Sequence, residues 1–176
     1  MEQGLVQVYT GDGKGKTTAA FGLTIRAVGR GLKVKIIQFL KQEVSGEVLF
    51  IQQRCPEVEF HRFNSQEKFV WNMNPEEIQL LTDESRAGFA FVQQIVRKNE
   101  CDILVLDELV HLINKQIITM EEVRQLIAIK PFTMELVLTG RSASAELIEL
   151  ADLVTEMKPI KHPYEQGIYA RVGIES

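Results

Sequence analysis

The sequence predicts an α/β domain in which a parallel sheet carries helices on both faces, and three observations lead there. Short apolar runs alternate with stretches of helical periodicity along the chain. The runs at Ile103–Leu106 and Glu135–Leu138 are apolar almost throughout, as parallel strands covered on both faces require. A glycine-rich turn, Thr10 to Thr18, joins the first run to the first helical stretch, and in such sheets ligands sit at the carboxyl ends of strands.

The elements follow in order. Leu5-Val6-Gln7-Val8-Tyr9 alternates like a strand. Thr17 to Arg30 reads as a helix with Ala19, Ala20, Leu23 and Ala27 at helical spacing, stopped by Gly29-Arg30-Gly31. Lys33 to Leu40 is a second strand with β-branched Val34, Ile36 and Ile37. Gln42 to Pro56 is read as a short helix and loop, and Val58 to Phe63 as a third strand. Asn74-Pro75-Glu76-Glu77 supplies an N-cap, Pro at the first position and Glu at the third, and Ile78, Leu81, Val92 and Ile95 carry an apolar stripe to Lys98. The Ile103 run then ends in Asp107-Glu108. Thr119-Met120-Glu121-Glu122 opens a helix that Pro131 closes, followed by the Glu135 strand, a helix from about Ala143 to Leu150 and a strand near Leu153 to Met157.

A chain of 176 residues, 45% apolar and 25% charged, suits one domain with a full core, taken here as residues 1–176. No apolar run approaches a membrane span, and the acidic start Met1-Glu2-Gln3 is unlike the basic head of a signal peptide, so the cytosol is the expected compartment. Two cysteines, Cys55 and Cys101, form no Cys-x-x-Cys pair, which argues against a disulfide framework or zinc ribbon. A formal charge of −4 argues against nucleic acid as the main partner; Lys14, Lys16, Arg26 and Arg30 are expected to face phosphates.

The chemistry starts at Gly11-Asp12-Gly13-Lys14-Gly15-Lys16-Thr17-Thr18. Glycines at alternate positions allow positive φ and close backbone approach, so that successive N–H groups and a helix N-terminus converge on phosphate oxygens. Lys16 adds a cation, and Thr17 offers a hydroxyl to Mg²⁺. The expected ligand is a nucleoside triphosphate. Thr10 stands where the common pattern has its first glycine.

Asp107 and Glu108, ending a buried strand, are the expected acidic partners of such a loop, holding the metal directly or through water; the alternative is an acidic strand end in solvent. Phe69-Val70-Trp71 lies among polar residues and is either a loop anchor packed on the core or a ligand wall. Thr139-Gly140-Arg141 brings a cation to the edge where substrate should sit, although Arg141 could equally cap a helix or pair with Asp152. His61, His111 and His162 lack metal-ligand spacing, and no Ser, His and Asp form an evident triad, so no protein nucleophile is assigned.

The string Gly11 to Gly22, with Arg26-Ala27 and Gly29-x-Gly31 after it, resembles the P-loop type of ATP:corrinoid adenosyltransferase. The likeness continues in the family's order through Gln38-Phe39 with Lys41, Gly46-Glu47, Val58-Glu59-Phe60, Phe69-x-Trp71, Leu106 to Leu109, Leu138 to Arg141, Ala151 to Met157, Lys161-His162-Pro163 and Gly173-Ile174-Glu175. The resemblance implies a single P-loop NTPase-like (RecA-like) domain. It also implies transfer of the 5′-deoxyadenosyl group of ATP to the cobalt of a reduced corrinoid, with release of triphosphate.

Family members hold ATP reversed relative to ordinary NTPases, which accounts for a loop altered at Thr10. Co(I) is a nucleophile that carries no proton, so displacement at C5′ needs neither a general base nor a covalent protein intermediate. By the same resemblance Thr17 and Glu108 hold Mg²⁺ with Asp107 close by, and Lys16 stabilises the triphosphate. Phe69 and Trp71 pack against the corrinoid where its lower axial ligand would sit. Electrons come from an external flavin or flavoprotein, and the assembly is a homodimer. Lys68, Val70 and Val110-His111 depart from the family's usual residues, and the chain starts a few residues before its first strand, without the longer N-terminal arm of some members.

Two other readings fit the same motifs. An ordinary phosphate-loop ATPase or kinase would use Glu108 as the water-activating base. A binding module would hold ATP and corrinoid without turnover.

Overall fold

The computed structural model describes residues 2–41, 44–66, 68 and 72–174. Six strands, β1 (Val6–Thr10), β2 (Val34–Phe39), β3 (Val58–Phe63), β4 (Ile103–Asp107), β5 (Glu135–Thr139) and β6 (Leu153–Glu156), form one sheet in the order β3-β2-β4-β5-β1-β6. Every neighbouring pair is parallel, as the apolar runs predict. Helices α1 (Lys16–Val28) and α2 (Gly46–Arg54) cover one face; α3 (Pro75–Lys98), α4 (Leu109–Asn114), α5 (Met120–Ala128) and α6 (Ala145–Leu150) cover the other. Among the described residues no helix is long and apolar enough to cross a membrane.

The local signals produce the elements they encode. Asn74 caps α3 by accepting from the Glu77 amide, while the Glu77 carboxylate accepts from the Asn74 amide, satisfying two otherwise orphaned donors. Thr119 and Glu122 do the same for α5. The buried stripe of α1 is Ala20, Phe21, Thr24 and Ala27; it keeps Ala20 and Ala27 of the anticipated stripe, whereas Ala19 is exposed and Leu23 half-buried. Helix α4 was not anticipated. It runs on from an apolar strand and has no side-chain cap, since Glu108 enters it in the left-handed region with φ 67°.

Period-two alternation decides what each strand end presents. In β4, Leu104 and Leu106 join the core under α3 to α6, whereas Ile103 and Val105 join the core under α1 and α2. Asp107 therefore points to the α1 side, like Gln38 at the end of β2 and Thr139 at the end of β5. Register sets Gln38 opposite Asp107. The sheet thus gathers three polar side chains beneath the first turn of α1.

Candidate active site

The glycine-rich loop is shaped by β6 as much as by any ligand. Strand β6 pairs with β1 and ends beside it, and the Met157 amide donates to the Thr10 carbonyl at 2.8 Å. The Gly13 amide donates back to the Met157 carbonyl at 2.7 Å. A Cβ on Gly11 or Gly13 would lie 2.4 or 2.6 Å from that carbonyl oxygen, so both positions need glycine for contact with β6. Gly11 (φ 97°) and Gly15 (φ 112°) also adopt left-handed backbone; Gly13 does not, and its amide is spent on Met157. Thr10, the departure from the common pattern, is 5% exposed and accepts from the Ala143 amide at 3.0 Å, tying the loop to the segment that leads into α6.

Lys16 lies on the loop, its Nζ donating to the Gly13 carbonyl at 2.7 Å. Burial lowers its pKa, and the charge of Arg141 adds to that, against the pull of Glu108, Asp12 and Asp107. A polyphosphate would remove the conflict by supplying negative charge to both cations.

Asp107 is fully buried and saturated with donors. Its Oδ1 accepts from Thr139 Oγ1 at 2.7 Å and Thr17 Oγ1 at 3.0 Å, and its Oδ2 accepts from Gln38 Nε2 at 2.9 Å, with Lys41 Nζ at 3.9 Å. Burial pushes its carboxyl up, opposed by Lys41 and by the Thr139 and Gln38 hydrogen bonds. Glu108 turns the other way, into the cleft. Its amide donates to Thr139 Oγ1 at 3.0 Å, and its Oε2 lies 3.0 Å from His111 Nε2. Burial works against its charge, yet the His111 hydrogen bond, with Lys41 and Lys16, outweighs that and holds the carboxyl below its usual range. His111 Nε2 also lies 3.5 Å from the Arg141 amide. One ring nitrogen cannot donate to Glu108 and accept from Arg141 together, and the shorter contact is the stronger.

These groups border a cleft of about 850 Å³. Asp12, Gly13, Lys14, Gly15, Lys16, Thr17 and Thr18 line it together with Glu108 and Arg141, so nearly all the anticipated binding residues meet there. Gly11 lies beneath, against Met157, and Asp107 lies beneath Thr17. Thr17 and Glu108 are hard oxygen donors on one cleft, a set suited to Mg²⁺, which keeps much of its own water. Asp107, already engaged by three side chains, is placed to orient the Thr17 hydroxyl. Among the described residues no group of three His, Cys, Asp or Glu could hold a metal by itself. Phe69 and Trp71 lie outside the described residues.

One expectation is corrected. Arg26, in the last turn of α1, is about 15 Å along the helix from Lys16, and neither it nor Arg30 lines the cleft, so neither faces phosphate there. Asp152 accepts from the Val6 amide at 2.7 Å and anchors β1, leaving Arg141 to the cleft.

Three contributors escaped the sequence reading. His111 is one turn after Glu108, an i,i+3 spacing that was readable once α4 was recognised. Glu47, at the start of α2, accepts from Thr18 Oγ1 at 3.2 Å. Beyond the loop and the stretch from Lys41 to Glu47, the segment 158–174 supplies another wall of the cleft, and no local pattern signals that placement. Gly140 (φ 144°) lets β5 pass α4, where a Cβ would lie 2.7 Å from Val110 Cβ.

Comparison with known proteins places this site in a family. A chain carrying ATPases 2 and 3 of EssC from Geobacillus thermodenitrificans superposes with a TM-score of 0.50 at 13% identity, over 97% of this chain and 35% of that longer one, a likeness of fold alone. Corrinoid adenosyltransferase of Escherichia coli (strain K12) is 35% identical over 175 residues, 99% of this chain and 86% of that protein. Corrinoid adenosyltransferase CobA of Salmonella typhimurium is 34% identical, again over 99% and 86%. A corrinoid adenosyltransferase of Sinorhizobium sp. is 37% identical over 177 residues, 99% of this chain and 81% of that protein. The profile of one family matches residues 2–176, and on that match, with these relatives, the chain belongs to the ATP:corrinoid adenosyltransferase BtuR/CobO/CobP family.

Proposed function

We propose that this chain, acting as one domain, transfers the 5′-deoxyadenosyl group of ATP to the Co(I) of a reduced corrinoid. The cobalt electron pair forms the Co–C5′ bond as the C5′–O bond breaks, and those electrons leave on triphosphate. The observation that carries the reading is a phosphate loop facing a cleft, in a chain related over nearly its full length to corrinoid adenosyltransferases. Cobalt-centred displacement needs no proton removed, so the protein's task reduces to orientation and charge stabilisation.

Each residue then has a part. The loop amides and Lys16 hold the departing triphosphate, and Arg141 adds charge beside it. Thr17 and Glu108 would hold Mg²⁺, oriented by Asp107 and His111. When bound, the ion neutralises charge building on the leaving group. Phe69 and Trp71 form the apolar surface against the corrinoid. The reductant is an external flavin or flavoprotein, the setting is the cytoplasm, and the assembly is a homodimer.

The ATPase reading is disfavoured by the relatives, since corrinoid adenosyltransferases match this chain over 99% of its length. The deciding assay is spectrophotometric, with chemically reduced corrinoid, ATP and Mg²⁺. An alkylated corrin with intact triphosphate supports transfer; orthophosphate or ADP without it supports the ATPase. Replacing Trp71 by Ala should depress transfer from a Co(II) start far more than ATP affinity, and equal loss would make Trp71 merely structural.

A further inference from the structure

The segment that follows β6 is fastened to the phosphate loop at both ends. At its start the Met157 carbonyl accepts from the Gly13 amide at 2.7 Å; near its end the Ile174 carbonyl accepts from Lys14 Nζ at 2.7 Å. Residues 158–174 between these anchors form a closed loop whose neck is two consecutive residues of the phosphate loop. Inside it, His162 Nδ1 caps a short 3-10 turn over Pro163–Gln166, and Gly167 (φ 76°) reverses the chain. The rings of Tyr164 and Tyr169 meet edge to face, centroids 6.2 Å apart.

The two walls of the cleft differ in chemistry. One wall, from the phosphate loop to Glu108 and Arg141, carries only glycines, hydroxyls and charged groups. Among the described residues every apolar side chain on the cleft comes from 158–174, chiefly Tyr164, Ile168, Tyr169 and Ile174. Tyr164 and Tyr169 are 66% and 76% exposed, so two adjoining rings offer their surface to whatever enters. A nucleotide has the matching division, a polyphosphate for the polar wall and a planar base for the aromatic one.

We infer that residues 158–174 form the base subsite, with Tyr164 and Tyr169 as the stacking surface for the adenine of ATP. On this wall the base is held by stacking on the two rings. The inference rests on ATP being the ligand of the loop, and a binding experiment without corrinoid separates it from the reaction.

Calorimetric titrations of the full chain with ATP and with inorganic triphosphate test it. The double variant Tyr164→Ala, Tyr169→Ala should bind ATP about tenfold or more weakly, the scale of losing base–aromatic stacking, while triphosphate affinity stays within about twofold. The Tyr164→Phe, Tyr169→Phe variant, which keeps the rings, should bind both as the unsubstituted chain does. Equal weakening of both ligands would assign the segment to the phosphate end and overturn the proposal, as would no weakening of either. In the unsubstituted chain, ATP should slow tryptic cleavage after Lys161 and Arg171 more than triphosphate does; equal protection by the two ligands counts against it. Failure to bind ATP at all overturns this inference together with the function, whereas ATP binding without adenosyl transfer overturns the reaction alone.

Discussion

Gly13→Ala tests whether β6 shapes the phosphate loop. Gly13 is not in the left-handed region, so its own backbone tolerates alanine; an account based on conformational freedom alone predicts little effect. Contact predicts otherwise. The new Cβ would lie 2.6 Å from the Met157 carbonyl oxygen and 2.8 Å from its carbon, both backbone atoms of a strand end, so a shift of roughly 0.8 Å is forced. Such overpacking costs about 1–3 kcal/mol. Losing the Gly13–Met157 hydrogen bond adds about 1 kcal/mol. If the displaced loop must be drawn back to receive phosphate, ATP binding weakens by about 30-fold or more. Calorimetric titration of ATP into Gly13→Ala reads this directly, with circular dichroism to confirm a folded sheet. Affinity within about threefold of the unsubstituted chain would refute the claim that β6 sets the loop's geometry.

Other outcomes follow from single features. Gly22, exposed on α1 with nothing within 4 Å of a built Cβ, should gain about 0.5–1 kcal/mol on replacement by Ala, a rise of about 1–4 °C in Tm; a fall would contradict the open environment. Glu108 lies below its unfolded value of about 4.3, so it contributes stability above that pH, lost as pH falls through the lower folded value. Glu108→Gln should therefore shrink the difference in urea midpoint between about pH 6 and about pH 3, and an unchanged difference would mean that the carboxyl is not held down. Burial pushes the Cys101 thiol up to about 12, so a thiol reagent should leave Cys101 untouched in the native protein near pH 8 and label it on unfolding, as read by peptide mass.

What the sequence disclosed and withheld divides along physical lines. The capping boxes at Asn74 and Thr119 are complete within four residues, so both helices were legible before any tertiary contact. The β4 and β5 runs were legible because burial on both faces leaves a continuous apolar signature. Helix α4 was hidden because its six residues continue that signature past a left-handed Glu108. That Asp107 is buried while its neighbour faces the cleft depends on alternation along β4, which two adjacent carboxylates do not reveal by identity alone. The position of 158–174 over the phosphate loop was not readable, because it follows from β6 docking beside β1 across the length of the chain.

That last docking bears on when the protein can first work during synthesis. Strand β1 is inserted between β5 and β6, and its anchors at Leu5–Glu135 and Val6–Asp152 span 130 and 146 residues. A nascent chain carries its nucleotide loop long before the carbonyl that receives Gly13, on Met157, has been made. Premature termination anywhere between Thr18 and Met157 therefore yields a polypeptide carrying the whole motif and no competent cradle.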